Sequence, residues 1–202
     1  MRSLSTLPPL KWRHTTGIPT QRFLCGFCSH QVASSQGWAA TLAKGGSNAE
    51  VAYLYVCPNC QLPTIVWANG ERSFPNALPG ASVENVPREL SILYNEARSS
   101  VAVGAYTGAV LICRKILLNL AVAQGAKEHL RFVEYVEFFA DNGYVSPHGR
   151  IWVDYIRVRG NEANHEIELM QKQDALMLIT FIEMLLRLIY EFPSKVPRDT
   201  DS

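Results

Sequence analysis

The chain has 202 residues, 48% of them apolar, and a formal net charge of +1. That length exceeds one typical domain of about 100–150 residues and suits a small domain beside a medium one. Balanced charge excludes a global field for nucleic acid or acidic lipid, so any polyanion contact must come from a local patch.

Residues 1–20 carry Pro and Thr without periodicity and are expected to form a flexible arm. The opening Met1-Arg2-Ser3-Leu4 has no apolar h-region, so no signal peptide is expected. No apolar run reaches about 18 residues; the closest, Ala175 to Tyr190, holds Glu183 and Arg187. A cytoplasmic protein with no membrane contact is expected.

Residues 21–76 hold two Cys-x-x-Cys knuckles, Cys25-Gly-Phe-Cys28 and Cys57-Pro-Asn-Cys60, separated by 28 residues. Each aims two sulfurs at one point, and two such turns supply the four soft ligands of a tetrahedral zinc. His30 is an alternative ligand beside Cys28, but four sulfurs already fill the site. The run Val51 to Val56 leads into the second knuckle, Leu62 to Trp67 leaves it, and Asn69-Gly70 marks a hairpin. A strand into a knuckle and another out is the pattern of a zinc ribbon. The metal would offset the thin core of so small a unit. A four-thiolate site is closed to water and substrate, so this Zn2+ is expected to be structural.

Residues 77–86, with Pro79 and Gly80, suit a linker. Helical periodicity then takes over for residues 87–192. Pro87 fits a first helical position, followed by Leu90, Tyr94, Ala97 and Val101 at helical spacing. A second helix, about Ala105 to Gln124, is apolar on most sides and should be central. A third is predicted from Lys127 to Ala140 and a fourth from Pro147 onward. A fifth runs from an Asp174 N-cap to Glu191, where Pro193 stops it. Residues 193–202 read as a disordered tail. Cys113, inside the apolar second helix, reads as a small buried hydrophobe. The fold class is α+β: a small N-terminal β ribbon, then an all-α bundle.

The fourth helix carries Arg157, Asn161 and His165 at i, i+4 and i+8, drifting only about 40° per step, with Asn164 close by. Arg159 points nearly opposite Arg157 unless Gly160 distorts the helix. Arg grips phosphate bidentately and His moves protons near neutral pH. With an Asn donor, these groups could support metal-independent RNA cleavage through the 2′-hydroxyl. A structural hydrogen-bond network between helices is the alternative. Arg114, in the apolar second helix, either pairs with Glu96 or lines the cleft of His165.

Several stretches resemble a bacterial helical family of unknown function. They are Pro87, Tyr94-Asn95-Glu96-Ala97, the run Ala109 to Leu117, and Gly160-Asn161-Glu162-Ala163-Asn164-His165. Members of that family often carry an N-terminal zinc ribbon, and the domain is also found fused to restriction-enzyme subunits. The family is grouped with the HEPN superfamily (higher eukaryotes and prokaryotes nucleotide-binding). The resemblance implies a HEPN-like antiparallel bundle that dimerises through its motif-bearing helices. Catalytic HEPN members are RNases with an Arg, four to six residues, then His. Arg159 and His165 meet that spacing with five residues between them. Two departures weigh against transfer: Gly160 follows the Arg where a polar residue is usual, and the helical family places its Arg at Arg157, seven residues from His165.

Two functions follow as expectations. One is a non-catalytic, nucleic-acid-associated or interaction module, acting in bacterial defence against phage or foreign DNA. The other is a dimeric HEPN-type endoribonuclease using Arg159 or Arg157 with His165. Expected partners are a second copy through the helical domain, RNA or DNA, and a defence-system protein.

Overall fold

The computed structural model describes residues 12–41, 49–69, 73–161 and 169–196, and for 157–161 the backbone. The chain divides into two compact units, Met1–Leu78 and Pro79–Ser202. The first is a β unit and the second is helical, so the fold is α+β.

The N-terminal unit is one five-stranded antiparallel sheet in the order β1-β2-β3-β4-β5. Its strands are β1 (Thr16–Leu24), β2 (Gln31–Thr41), β3 (Glu50–Val56), β4 (Pro63–Trp67) and β5 (Ser73–Phe74). The strands flanking the second knuckle stand where the sequence places them. β5 closes on β4 the hairpin expected after Trp67. β1 and β2 differ from expectation, and β1 begins inside the stretch read as an arm. β2 has almost no local strand signal, because Gln, Ala, Ser and Gly are weak strand formers. It forms because β1 and β3 pair along both its edges. One face of the sheet buries Phe23, Tyr55 and Val66 together with Ile18, Cys25 and Cys57. Tyr55 donates its hydroxyl to Pro19 O at 2.8 Å, and Ser34 donates to Val56 O at 2.8 Å. Both groups are thereby buried without loss of a hydrogen bond.

The helical unit contains α1 (Arg88–Ala102), α2 (Tyr106–Ala123), α3 (Phe132–Asp141), α4 (Arg150–Asn161) and α5 (Lys172–Leu186). A π-helical turn, Arg187–Glu191, and a last turn, Phe192–Lys195, continue α5. α2 packs against α1, α3 and α5. Its Cys113, Ile116, Leu117 and Leu120 are fully buried, as a helix apolar on most sides requires. Among the described helices α2 alone is long and apolar enough to cross a membrane. A core helix passes the same test.

Four boundaries depart from the sequence reading. Pro87 is the N-cap of α1 rather than its first helical residue. α3 starts five residues late. His129 holds a left-handed φ of 63°, and the Glu134 carboxylate accepts from the Arg131 N–H at 2.8 Å, setting the start at Phe132. Asp174 acts three residues inside α5, accepting from Gln171 N–H at 2.9 Å, so Gln171 is the cap. Pro193 does not stop the helix. The preceding turn widens, with Phe192 N–H bonding Arg187 O, and Pro193 falls in the first turn of the last helical segment, where its missing N–H costs little.

The segment after Leu78 is not a free linker either. Arg98 is only 3% exposed and donates to Pro79 O at 2.7 Å, Gly80 O at 2.8 Å and Asn95 Oδ1 at 2.9 Å. Tyr94 donates to Ala81 O at 3.1 Å, and Glu183 accepts from Ala81 N–H at 3.0 Å. These bonds hold residues 79–81 against α1 and α5.

Candidate functional site

Each knuckle is a tight turn with the same backbone bonds. In the first, Cys25 N–H donates to His30 O at 3.0 Å and Ser29 N–H donates to Cys25 O at 2.9 Å. In the second, Cys57 N–H donates to Leu62 O at 3.1 Å and Gln61 N–H donates to Cys57 O at 2.9 Å. Ser29 and Gln61 hold left-handed φ values of 55° and 61°, each directly after the second cysteine of its pair. Sequence inspection passes over both, since neither is Gly or Asn, the residues that most readily adopt that region. Gly26 lies against the Pro75 and Asn76 carbonyl oxygens, where a side chain has no room. The first knuckle is therefore braced by the chain that follows β5.

The four sulfurs meet. Cys25 Sγ lies 3.7 Å from Cys60 Sγ, Cys28 Sγ lies 3.8 Å from Cys57 Sγ, and all four are within 4.8 Å of one another. Disulfide bonding needs about 2.05 Å, so these are free thiols. A tetrahedron with a metal–sulfur distance of about 2.3 Å has edges of about 3.8 Å. The observed edges fit that polyhedron, and the cluster could hold a metal ion. Cys25 and Cys57 are buried, while Cys28 and Cys60 are partly so.

Burial opposes ionisation at Cys28, Cys57 and Cys60. At Cys28 it is outweighed by hydrogen bonds from the Asn59 side chain and the His30 N–H, together with the neighbouring thiols, and the pKa falls to about 6. At Cys57 and Cys60 burial dominates and the thiols sit above their usual range. Four thiolates can share this volume only around a cation. His30 stands aside: its exposed ring donates from Nδ1 to Cys28 O at 2.8 Å.

On the helical side, just over half of the chain, residues 95–201, matches a family described as a domain of unknown function, DUF4145. The chain belongs to the DUF4145 family. No curated protein and no solved structure matches it.

Within the DUF4145 region, Arg157, Arg159 and Asn161 stand on the last turns of α4, which runs unbroken through Gly160. Their side chains, and His165 altogether, lie outside the described residues. Arg114 does not pair with Glu96. Its guanidinium lies 4.4 Å from the Phe132 ring centroid, a cation–π contact, with no carboxylate partner among the described residues. Burial holds its pKa below the usual arginine range. Beside it is a cavity of about 20 Å³, bordered by Val110, Phe132, Tyr155 and Asp174. That volume holds about one water and no nucleobase. Tyr155 donates to Asp174 Oδ1 at 2.9 Å, which ties α4 to the start of α5. Cys113 is fully buried among apolar neighbours, and desolvation raises its thiol to about 12, so it is inert.

Proposed function

We propose that the N-terminal unit is a structural zinc ribbon and that the whole chain is a non-catalytic, nucleic-acid-associated or interaction module. The tetrahedral spacing of four sulfurs carries this reading. Tetrahedral S4 suits zinc or iron, and zinc is the usual occupant of two facing Cys-x-x-Cys knuckles. Four protein ligands leave no position for substrate, so the ion acts through folding: zinc-thiolate binding contributes about 10–16 kcal/mol in small peptides. The finer reading rests on resemblance: a HEPN-like bundle, a homodimer through the helices, and a place in bacterial defence against phage or foreign DNA.

Metal analysis of the purified chain tests the first step. One zinc per chain is expected, lost in Cys57→Ser together with the β unit's circular dichroism. One iron per chain, or no metal, would overturn it. A second reading, the dimeric HEPN-type endoribonuclease, draws on α4 being continuous, which puts Arg157 and Asn161 one turn apart on one face. RNA cleavage by the purified protein that His165→Ala abolishes would replace the non-catalytic reading. Absence of cleavage sinks the enzyme.

A further inference from the structure

The sheet of the N-terminal unit has a second face, and it is aromatic. Cross-strand pairing aligns Trp38, Leu54, Ile65 and Phe74 in one row and Ala40, Ala52 and Trp67 in the next. All point away from the face that buries Tyr55 and Val66, since side chains alternate along a strand. Trp12 stands edge-on to Trp38 with ring centroids 5.7 Å apart, and its indole N–H is donated to Gln61 O beside the second knuckle. Three of the chain's four tryptophans therefore gather on or beside this face. Trp67 is 40% exposed and Phe74 48%. As diagonal neighbours on paired strands they stand about 7–8 Å apart. Exposed rings in that arrangement offer faces on which bases can stack.

Charge selects the occupant. Residues 1–78 carry six Lys or Arg against two acidic residues, net +4; residues 79–202 carry thirteen against sixteen, net −3. The near-neutral total hides a basic first unit and an acidic second one. Flat exposed rings on a basic, acid-poor unit combine the two devices that hold single-stranded nucleic acid without sequence readout: stacking and phosphate attraction.

We propose that the Trp38–Trp67–Phe74 face of the zinc-bound sheet is a stacking platform for single-stranded nucleic acid. This rests on the nucleic-acid-associated reading above and deepens it. If the same rings serve a protein partner instead, the oligonucleotides do not bind.

The test titrates the full-length, zinc-loaded chain with oligothymidylate and oligouridylate of about a dozen nucleotides and with a duplex of the same length. Tryptophan fluorescence is the readout. Single strands are expected to quench it and to bind more tightly than duplex. Two to four phosphate contacts give a log–log salt slope of about −1.4 to −2.8. Trp67→Ala and Phe74→Ala should each weaken binding about tenfold or more, with zinc content and circular dichroism unchanged. Ala40→Glu, which places a negative charge on an exposed position of the same face, should weaken it too. Oligonucleotide binding that all three variants leave intact would overturn the platform while the nucleic-acid reading stands. Failure of any nucleic acid to bind would overturn both. Binding insensitive to salt would point to a non-ionic occupant and sink the proposal.

Discussion

At the scale of single residues, Arg98 shows how this chain manages charge inside a core. Arg98 has no carboxylate partner among the described residues and is instead held by two carbonyls, an amide oxygen and the Tyr94 ring at 5.4 Å. The guanidinium fork suits this, because it presents several donors in one plane. Arg98→Met leaves the Pro79 and Gly80 carbonyls buried without donors, and each orphan costs about 1–3 kcal/mol. We expect about 2–4 kcal/mol loss of stability in urea unfolding, with faster amide exchange at Ala81. Arg98→Lys should recover little, since one ammonium does not reproduce the planar fork. At the four-cysteine cluster, Ser29 and Gln61 matter as much as the sulfurs. Their left-handed backbones turn the chain back so that His30 O and Leu62 O accept from the first cysteines.

Among the elements, the end of α5 is the most heavily charged. Arg187 donates to Glu183 at 2.9 Å and to Glu191 at 3.0 Å, and Lys195 donates to Glu191 at 2.7 Å. Glu191 is 4% exposed and also accepts from Glu84 N–H at 3.3 Å. The Lys195 ammonium, joined by the Glu84 N–H and Arg187, holds its carboxyl below the usual glutamate range against the opposing effect of burial. The unfolded chain therefore binds this proton more tightly. The stabilisation is complete above the ordinary glutamate value of about 4.3 and is lost as pH falls through the lower folded value. Urea unfolding followed from neutral pH down to about pH 3 should show an acid-side loss of stability that Glu191→Gln reduces. The same Glu183 and Glu191 that clamp the π turn also bind the backbone of residues 81 and 84. Those charges thus anchor the segment that follows the β unit.

For the whole molecule, the division at residues 78 and 79 separates two sources of stability. The helical unit has a broad core of large side chains, with Tyr135, Phe139, Phe181 and Leu185 at 1% exposure or less. Among the described residues the β unit buries only seven apolar side chains, two of them cysteines of the cluster. A core that small needs a staple. A strong chelator at neutral pH should therefore erase the β signature and Trp12–Trp38 fluorescence while the helical circular dichroism persists. Simultaneous loss of both would mean that the metal also supports the helices. Charge divides the same way, basic before residue 78 and acidic after it, and only the division gives the charge asymmetry a meaning.

The amino-acid pattern alone determined the four clustered cysteines, the strands around the second knuckle, and α1, α2 and α5, because knuckle spacing and helical periodicity are local signals. It left β1 and β2 dark: Ala, Ser, Gln and Gly in β2 become a strand only when partners occupy both edges. Tertiary packing decided the rest. It brought knuckles 28 residues apart to within 3.8 Å, withheld Glu96 from Arg114, docked residues 79–81 on the helices, and left Trp67 and Phe74 exposed on one face. Each of these depends on which segments meet in space, and no short window of sequence contains that information.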